Sequence, residues 1–193
     1  MLNNQIISKT TFSENIEIQL QECRNKFNQE ASSLLQQQLA SGEDLTDRKN
    51  FKGHATASCF LLSPDSKKVL LVHNLNLNRV LKPGGHCEPQ DDTPMDTAVR
   101  ELEEEVGVDK SQYEILHPFA IDVDTHPIPE NPKKGEPAHF HHDFTYVFRL
   151  KEEASINLDL NEVSSFEWVS LDSNHKYLER FIDKIWLIVE SVR

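Results

Sequence analysis

The sequence predicts an α/β protein, an α/β/α sandwich around a mixed sheet with a helix added at the N-terminus. Three observations carry this. Strand-like segments lie on both sides of one short acidic helix. A second helical pattern closes the chain. A long amphipathic stretch precedes the first strand.

The elements follow in order. Residues 13–40 read as one amphipathic helix, with Leu20, Cys23, Phe27, Ala31, Leu34, Leu35 and Leu39 on one face. Ser13 offers an N-cap and Ser41-Gly42 a stop. This divides the chain into an N-terminal helical extension, 1–50, and the domain that carries the chemistry, 51–193. Packing on that domain is the first reading of the extension, and a homodimer contact the second. Residues 54–62 and 69–73 form a hairpin across Ser63-Pro64-Asp65-Ser66. A strand at 79–82 leads through Pro83 into Gly84-Gly85. Short strands follow at 113–116 and 120–124. Residues 126–138, with four prolines and Lys133-Lys134, form a loop. Residues 139–150 alternate, with Phe140, His142, Phe144, Tyr146, Phe148 and Leu150 on one face. His139, His141, Asp143, Thr145, Val147 and Arg149 take the other. A last strand at 166–169 contains Trp168, and 177–192 closes the chain as a helix with Phe181, Ile185, Ile188 and Val192 in its core stripe.

Composition excludes several classes. The chain has 193 residues, 37% hydrophobic and 27% charged, with no run long enough for a membrane span. No basic region followed by an apolar core marks a secretion signal. Cys23, Cys59 and Cys87 have neither paired nor metal-ligand spacing, which suits a reducing cytoplasm. A net charge of -12 without a basic stripe argues against nucleic acid and membrane as partners. A small phosphorylated substrate stays compatible, because a bound cation supplies local positive charge.

The most informative stretch is 84–108. Thr93 is a good N-cap, Pro94 fits the first helical position, Asp96 suits the first turn and Gly107 a left-handed stop. Met95, Ala98, Val99, Leu102 and Val106 form the apolar stripe. Glu101, Glu104 and Glu105 share another face, where like charges repel. A hard divalent cation, Mg²⁺ or Mn²⁺, reverses that cost. Glu103 points elsewhere. Arg100 stands beside the cluster and can orient it by bidentate hydrogen bonds. Gly84 and Gly85 let the backbone approach a ligand closely.

These residues resemble the Nudix hydrolase signature, Gly-x5-Glu-x7-Arg-Glu-apolar-x-Glu-Glu-x-Gly-apolar. The second half matches from Arg100-Glu101-Leu102 through Glu104-Glu105 to Gly107-Val108. The first half carries one extra residue, which we read as a loop insertion with Asp92 in the acidic role. The resemblance implies the same Nudix-type α/β/α sandwich. It also implies metal-dependent hydrolysis of a diphosphate bond in a nucleoside diphosphate linked to another group, whether nucleoside triphosphate, nucleotide sugar, ADP-ribose or dinucleotide polyphosphate. Glu101, Glu104 and Glu105 would hold Mg²⁺, with the Gly85 carbonyl as a further ligand. The general base stays open. An isopentenyl-diphosphate-isomerase-like enzyme and a non-catalytic nucleotide-binding module are the alternatives. Both commonly depart from the signature, whose second half is intact here.

Further substrate contacts are expected from Gly84, Gly85 and His86, and from Lys82 on a phosphate. His139, His141 and Asp143 share a strand face and have two readings. They border the cleft as substrate or metal contacts pointing toward the acidic helix, or they are polar residues on a wet face. Asp122, Asp124 and His126 lie near them in sequence. The loop 126–138 and Phe119, Phe140 and Phe144 are candidates for recognising the substrate's variable group.

Overall fold

The computed structural model describes residues 10–192. Two N-terminal helices, α1 (Phe12–Phe27) and α2 (Ser33–Ala40), precede four strands: β1 (His54–Leu62), β2 (Lys68–Asn74), β3 (Arg79–Leu81) and β4 (Gly84–His86). Helix α3 (Pro94–Val106) follows, then β5 (Tyr113–Ile115), β6 (Asp122–Ile128), β7 (His139–Leu150), β8 (Val163–Ser170) and α4 (Ile182–Ser191).

One mixed sheet organises the molecule. Its central pair, β1 and β7, is parallel from His54↔His141 to Leu62↔Arg149. The other pairings are antiparallel: β4 and β2 on β1, β3 and β8 on β2, β5 and β6 on β7. Both faces of the central pair are covered, so β1 is buried along its whole length rather than alternating. On one face Ala55, Ala57, Cys59 and Leu61 of β1 and Phe144, Tyr146 and Phe148 of β7 pack with Ala98, Leu102 and Val106 of α3 and with Ile16, Cys23 and Leu35 of α1 and α2. On the other, Phe60, Leu62 and Val147 pack with Phe181, Ile185, Ile188 and Val189. Each of the large aliphatic and phenylalanine side chains among these contributes about 1.5–3 kcal/mol on removal from water. The result is the expected α/β/α sandwich.

The N-terminal segment differs from its expected form. Two helices replace the single one over 13–40. Thr11, not Ser13, caps α1, in a reciprocal capping box with Glu14. The helix stops at Asn28, which adopts a left-handed conformation at φ 52°, a region asparagine tolerates better than most residues. Ser32 then caps α2 by accepting from the Leu35 amide. The break frees Gln29 to donate to the Val123 carbonyl at 2.8 Å, and Ser32 shares a hydrogen bond with Thr125 at 2.7 Å. Gln19 accepts from the Ala120 amide at 2.7 Å. Gln38 donates to the Gly53 carbonyl at 2.8 Å and lies 2.9 Å from His142 Nε2. The extension is thus stitched to the sheet along β6 and the start of β1.

The closing helix also starts later than expected, at Ile182 instead of residue 177. Residues 176–181 form turns that bring Tyr177 and Phe181 under the sheet. The segment 126–138 is shorter as a loop, because β6 continues to Ile128 in register with His139.

Candidate active site

Helix α3 forms for local reasons. The Thr93 side chain accepts from the Asp96 amide, Pro94 opens the helix, and Gly107 ends it at φ 67°. A cap of this kind stabilises by about 1 kcal/mol. The apolar stripe then fixes which carboxylates face inward. Glu101 and Glu105 are buried, at 8% and 2% exposure, whereas Glu103 and Glu104 are exposed.

The two buried carboxylates meet the glycine strand. The Gly84 amide donates to Glu105 Oε2 at 3.0 Å. A Cβ built on Gly85 would overlap the Glu101 carboxylate, so only glycine permits this approach. Burial pushes the Glu101 carboxyl up to about 7 against the pull of Arg100, with Glu104 and Glu162 adding to the rise. Burial likewise pushes Glu105 up to about 8, with Glu101, Glu162 and Asp159 adding to it against the Gly84 hydrogen bond. Paired buried acids of this kind are short of positive charge. The donors are all oxygens and the pocket is anionic, so the residues fit a hard divalent cation.

Arg100 ties the unit together. Its Nη1 donates to Glu101 Oε1 at 2.8 Å and Glu104 Oε2 at 2.9 Å. Its Nη2 donates to Asp91 Oδ2 at 3.1 Å and to the His86 carbonyl at 2.9 Å. Asp91 is therefore a loop carboxylate that holds the arginine. Asp91 also accepts from Thr97 Oγ1 at 2.8 Å and from the Glu88 amide, and it is buried while Asp92 is exposed. Counting forward from Gly85 gives Asp91, and this buried network decides the count.

The second expected constellation lies elsewhere. His139, His141 and Asp143 occupy the same face of β7 as Val147, which packs on the α4 side. They do not point toward α3, correcting that expectation. The parallel pairing of β7 with β1 causes this, since it sets Phe144, Tyr146 and Phe148 against α3. Asp143 instead forms a buried ion pair with Lys82 at 3.0 Å, and accepts from Ser58 at 2.9 and 3.0 Å and Thr56 at 3.2 Å. Burial opposes ionising Asp143, yet the Lys82 charge holds its carboxyl below the usual range. Burial also opposes the Lys82 charge, but Asp143 and Tyr177 hold it above its ordinary value. Lys82 stands 5.1 Å from the Phe181 ring and 3.4 Å from Tyr177 Oη. It is thus engaged inside the α4 side of the sandwich.

His54, missed in the sequence, joins His139 and His141, with ring centroids 4.9 and 4.7 Å away. The His86 ring lies 5.0 Å from His141, and His126 is paired with His141 in the strand register. Asp122 is held by Arg180 and Lys184. Phe144 is a core side chain, Phe140 is exposed, and Phe119 packs against His117. Glu162, in the turn before β8, was also missed. It lies within electrostatic reach of Glu101 and Glu105 through the fold, with no sequence spacing to announce it.

The family model of the NUDIX domain matches residues 52–187. The chain belongs to the Nudix family. It is a hydrolase acting on diphosphate bonds. The "Probable DHNTP pyrophosphohydrolase" of Lactococcus lactis subsp. cremoris (strain MG1363) is 31% identical over 142 residues, covering 73% of this chain and 81% of the relative. Among solved structures, a Caenorhabditis elegans Ap4A hydrolase binary complex superposes with a TM-score of 0.53 at 18% identity, over 71% of this chain and 98% of that one. A NUDIX family hydrolase from Clostridium perfringens gives 0.52 at 19% identity, over 72% and 98%. At those identities the two structures speak for the Nudix fold alone. Among the described residues no helix is long and apolar enough to cross a membrane.

Proposed function

We propose that this Nudix chain is a Mg²⁺-dependent pyrophosphohydrolase of a small triphosphate or nucleoside-diphosphate derivative, with Mn²⁺ as the alternative ion. The observation that carries this is the burial of Glu101 and Glu105 against Gly84 and Gly85. Glu101, Glu104, Glu105 and the Gly85 carbonyl would hold the ion. When bound, it neutralises phosphate charge and favours ionised water at neutral pH. Arg100 holds Glu101 and Glu104 in place, and Asp91 holds Arg100. Burial raises both Glu101 and Glu105, and the Glu162 charge adds to each rise. Gly84, Gly85 and His86 form the strand along which the diphosphate would lie.

The Lactococcus relative's name makes DHNTP the first substrate to test. Three buried free cysteines support a reducing compartment, which we take to be the cytoplasm. The test is a panel of DHNTP, nucleoside triphosphates, nucleotide sugars, ADP-ribose and dinucleotide polyphosphates with Mg²⁺ or Mn²⁺, products identified by mass. Cation-dependent release of phosphate or pyrophosphate from a panel member supports the reading. No turnover across the panel, with tight binding of one compound, sinks it.

A further inference from the structure

The hydrolytic reading leaves unused a set of imidazoles on the sheet face opposite α3. We propose that His54, His139 and His141 form a site for one divalent transition-metal ion of the zinc class, separate from the carboxylate site at the glycine strand.

The geometry has three parts. One ligand nitrogen from each histidine lies within 4.8 Å of the other two. His139 Nε2 and His141 Nε2 are 3.2 Å apart. Two nitrogens on a tetrahedral zinc, each at about 2.0–2.1 Å, stand roughly 3.3 Å from one another. The closest pair is therefore already spaced as an edge of that tetrahedron.

The second part is orientation. His139 Nδ1 donates to the Pro137 carbonyl at 2.8 Å, and His54 Nδ1 to the Asn50 carbonyl at 3.3 Å. Each bond keeps the proton on Nδ1 and leaves the Nε2 lone pair pointing inward. Metal-bound histidines are fixed in this way, by a carbonyl or carboxylate on the far nitrogen.

The third part is an orphan. His54 is 2% exposed, and its Nε2 is buried without a hydrogen-bond partner among the described residues. Leaving such a nitrogen unmet costs about 1–3 kcal/mol. An ion between the three rings would satisfy it. Glu136 offsets Arg48 at the rim, 3.6 Å away. Imidazole nitrogens favour zinc-class ions over Mg²⁺, which takes oxygen. Three protein ligands leave a fourth position for water or an external group.

The test uses the full chain, stripped by a chelator and held in excess Mg²⁺, titrated with Zn²⁺ and with Co²⁺. One equivalent of Zn²⁺ is expected per chain, and Co²⁺ should give the visible absorption of a low-coordinate nitrogen site. His141→Gln and His139→Gln should each weaken Zn²⁺ binding at least about tenfold, by the scale of losing support for a metal ligand. Glu104→Gln should leave it unchanged. No Zn²⁺ bound, or binding lost with Glu104→Gln and retained with the histidine variants, overturns the proposal. X-ray absorption of the zinc-loaded wild-type chain needs no substitution. An imidazole shell supports the site and an oxygen-only shell refutes it. The hydrolytic reading survives either result, since its donors are different residues.

Discussion

Arg100 reaches across from α3 to the carbonyl of His86, 2.9 Å away, while the same arginine grips Asp91, Glu101 and Glu104. One planar group thereby sets the distance between the acidic helix and the glycine strand. Lysine, a point charge without a fork, cannot make these bonds together. Arg100→Lys is expected to lower kcat by roughly tenfold to a hundredfold and to weaken Mg²⁺ binding. Unchanged Mg²⁺ affinity with unchanged kcat would remove Arg100 from the site.

Glu104 and Glu103 are adjacent and both exposed, yet only Glu104 is drawn onto the Arg100 face. Glu104→Gln should lower kcat at least about a hundredfold with the fold intact, and Glu103→Gln should be nearly silent. Steady-state kinetics beside circular dichroism checks this. Equal losses at the two positions would show that the helix face does not define the site.

A Cβ on Gly85 would overlap the Glu101 carboxylate, which would have to swing away to admit it. Gly85→Ala should displace that carboxylate and lower kcat by about a hundredfold, the scale of a 1 Å misplacement. Isothermal titration with Mg²⁺ should show weaker binding in parallel. A fully active alanine variant would mean that Glu101 moves freely and does not need its present position.

Asp143 is paired with Lys82 inside the sandwich, with both side chains nearly excluded from water. Removing one partner leaves a buried, uncompensated ammonium, which costs about 3–5 kcal/mol. Thermal unfolding of Asp143→Asn should fall by roughly 6 °C or more, given about 2–4 °C per kcal/mol in a chain of this size. An unchanged Tm would contradict the buried-pair reading.

His142 is buried, lies 2.9 Å from both Gln38 and Thr125, and burial pushes it from 6.5 down to about 4. Its folded pKa lies below its unfolded one, so the unfolded chain binds the extra proton between those values. The stability it contributes is present above about pH 6.5 and is lost as pH falls toward 4. Urea unfolding of wild type and His142→Gln across that window should differ in slope by up to about 1.4 kcal/mol per pH unit. Parallel curves would show that the ring is not held neutral.

Much of this was legible because it is local. The caps, stripe and glycine stop of α3 all lie within fifteen consecutive positions, 93–107, so the sequence alone placed the helix and its carboxylates. The break at Asn28 was hidden, since Phe27, Ala31 and Leu35 continue a helical stripe across it. What ends α1 is one left-handed asparagine and a glutamine bond to a strand nearly a hundred residues away. Alternation in β7 correctly separated His141 and Asp143 from Phe144 and Tyr146. It could not say which face would meet α3, because that depends on the parallel pairing with β1. The Asp91 or Asp92 ambiguity had the same origin, a count that only the Thr97 and Arg100 contacts resolve.

The glutamines of the N-terminal segment have one more consequence. Along the outer side of β6, the Val123 carbonyl would otherwise stand open, as the Ala120 amide would just before it. An unpaired strand border is a template on which strands of other copies can grow. Here amide side chains imitate the missing neighbour and occupy its valences, without offering a backbone for a further strand. A fragment beginning at residue 51 would keep every carboxylate of the acidic helix. It would also bare a sticky margin together with the apolar surface under Ile16 and Leu35. Its failure would come as aggregation rather than as lost chemistry.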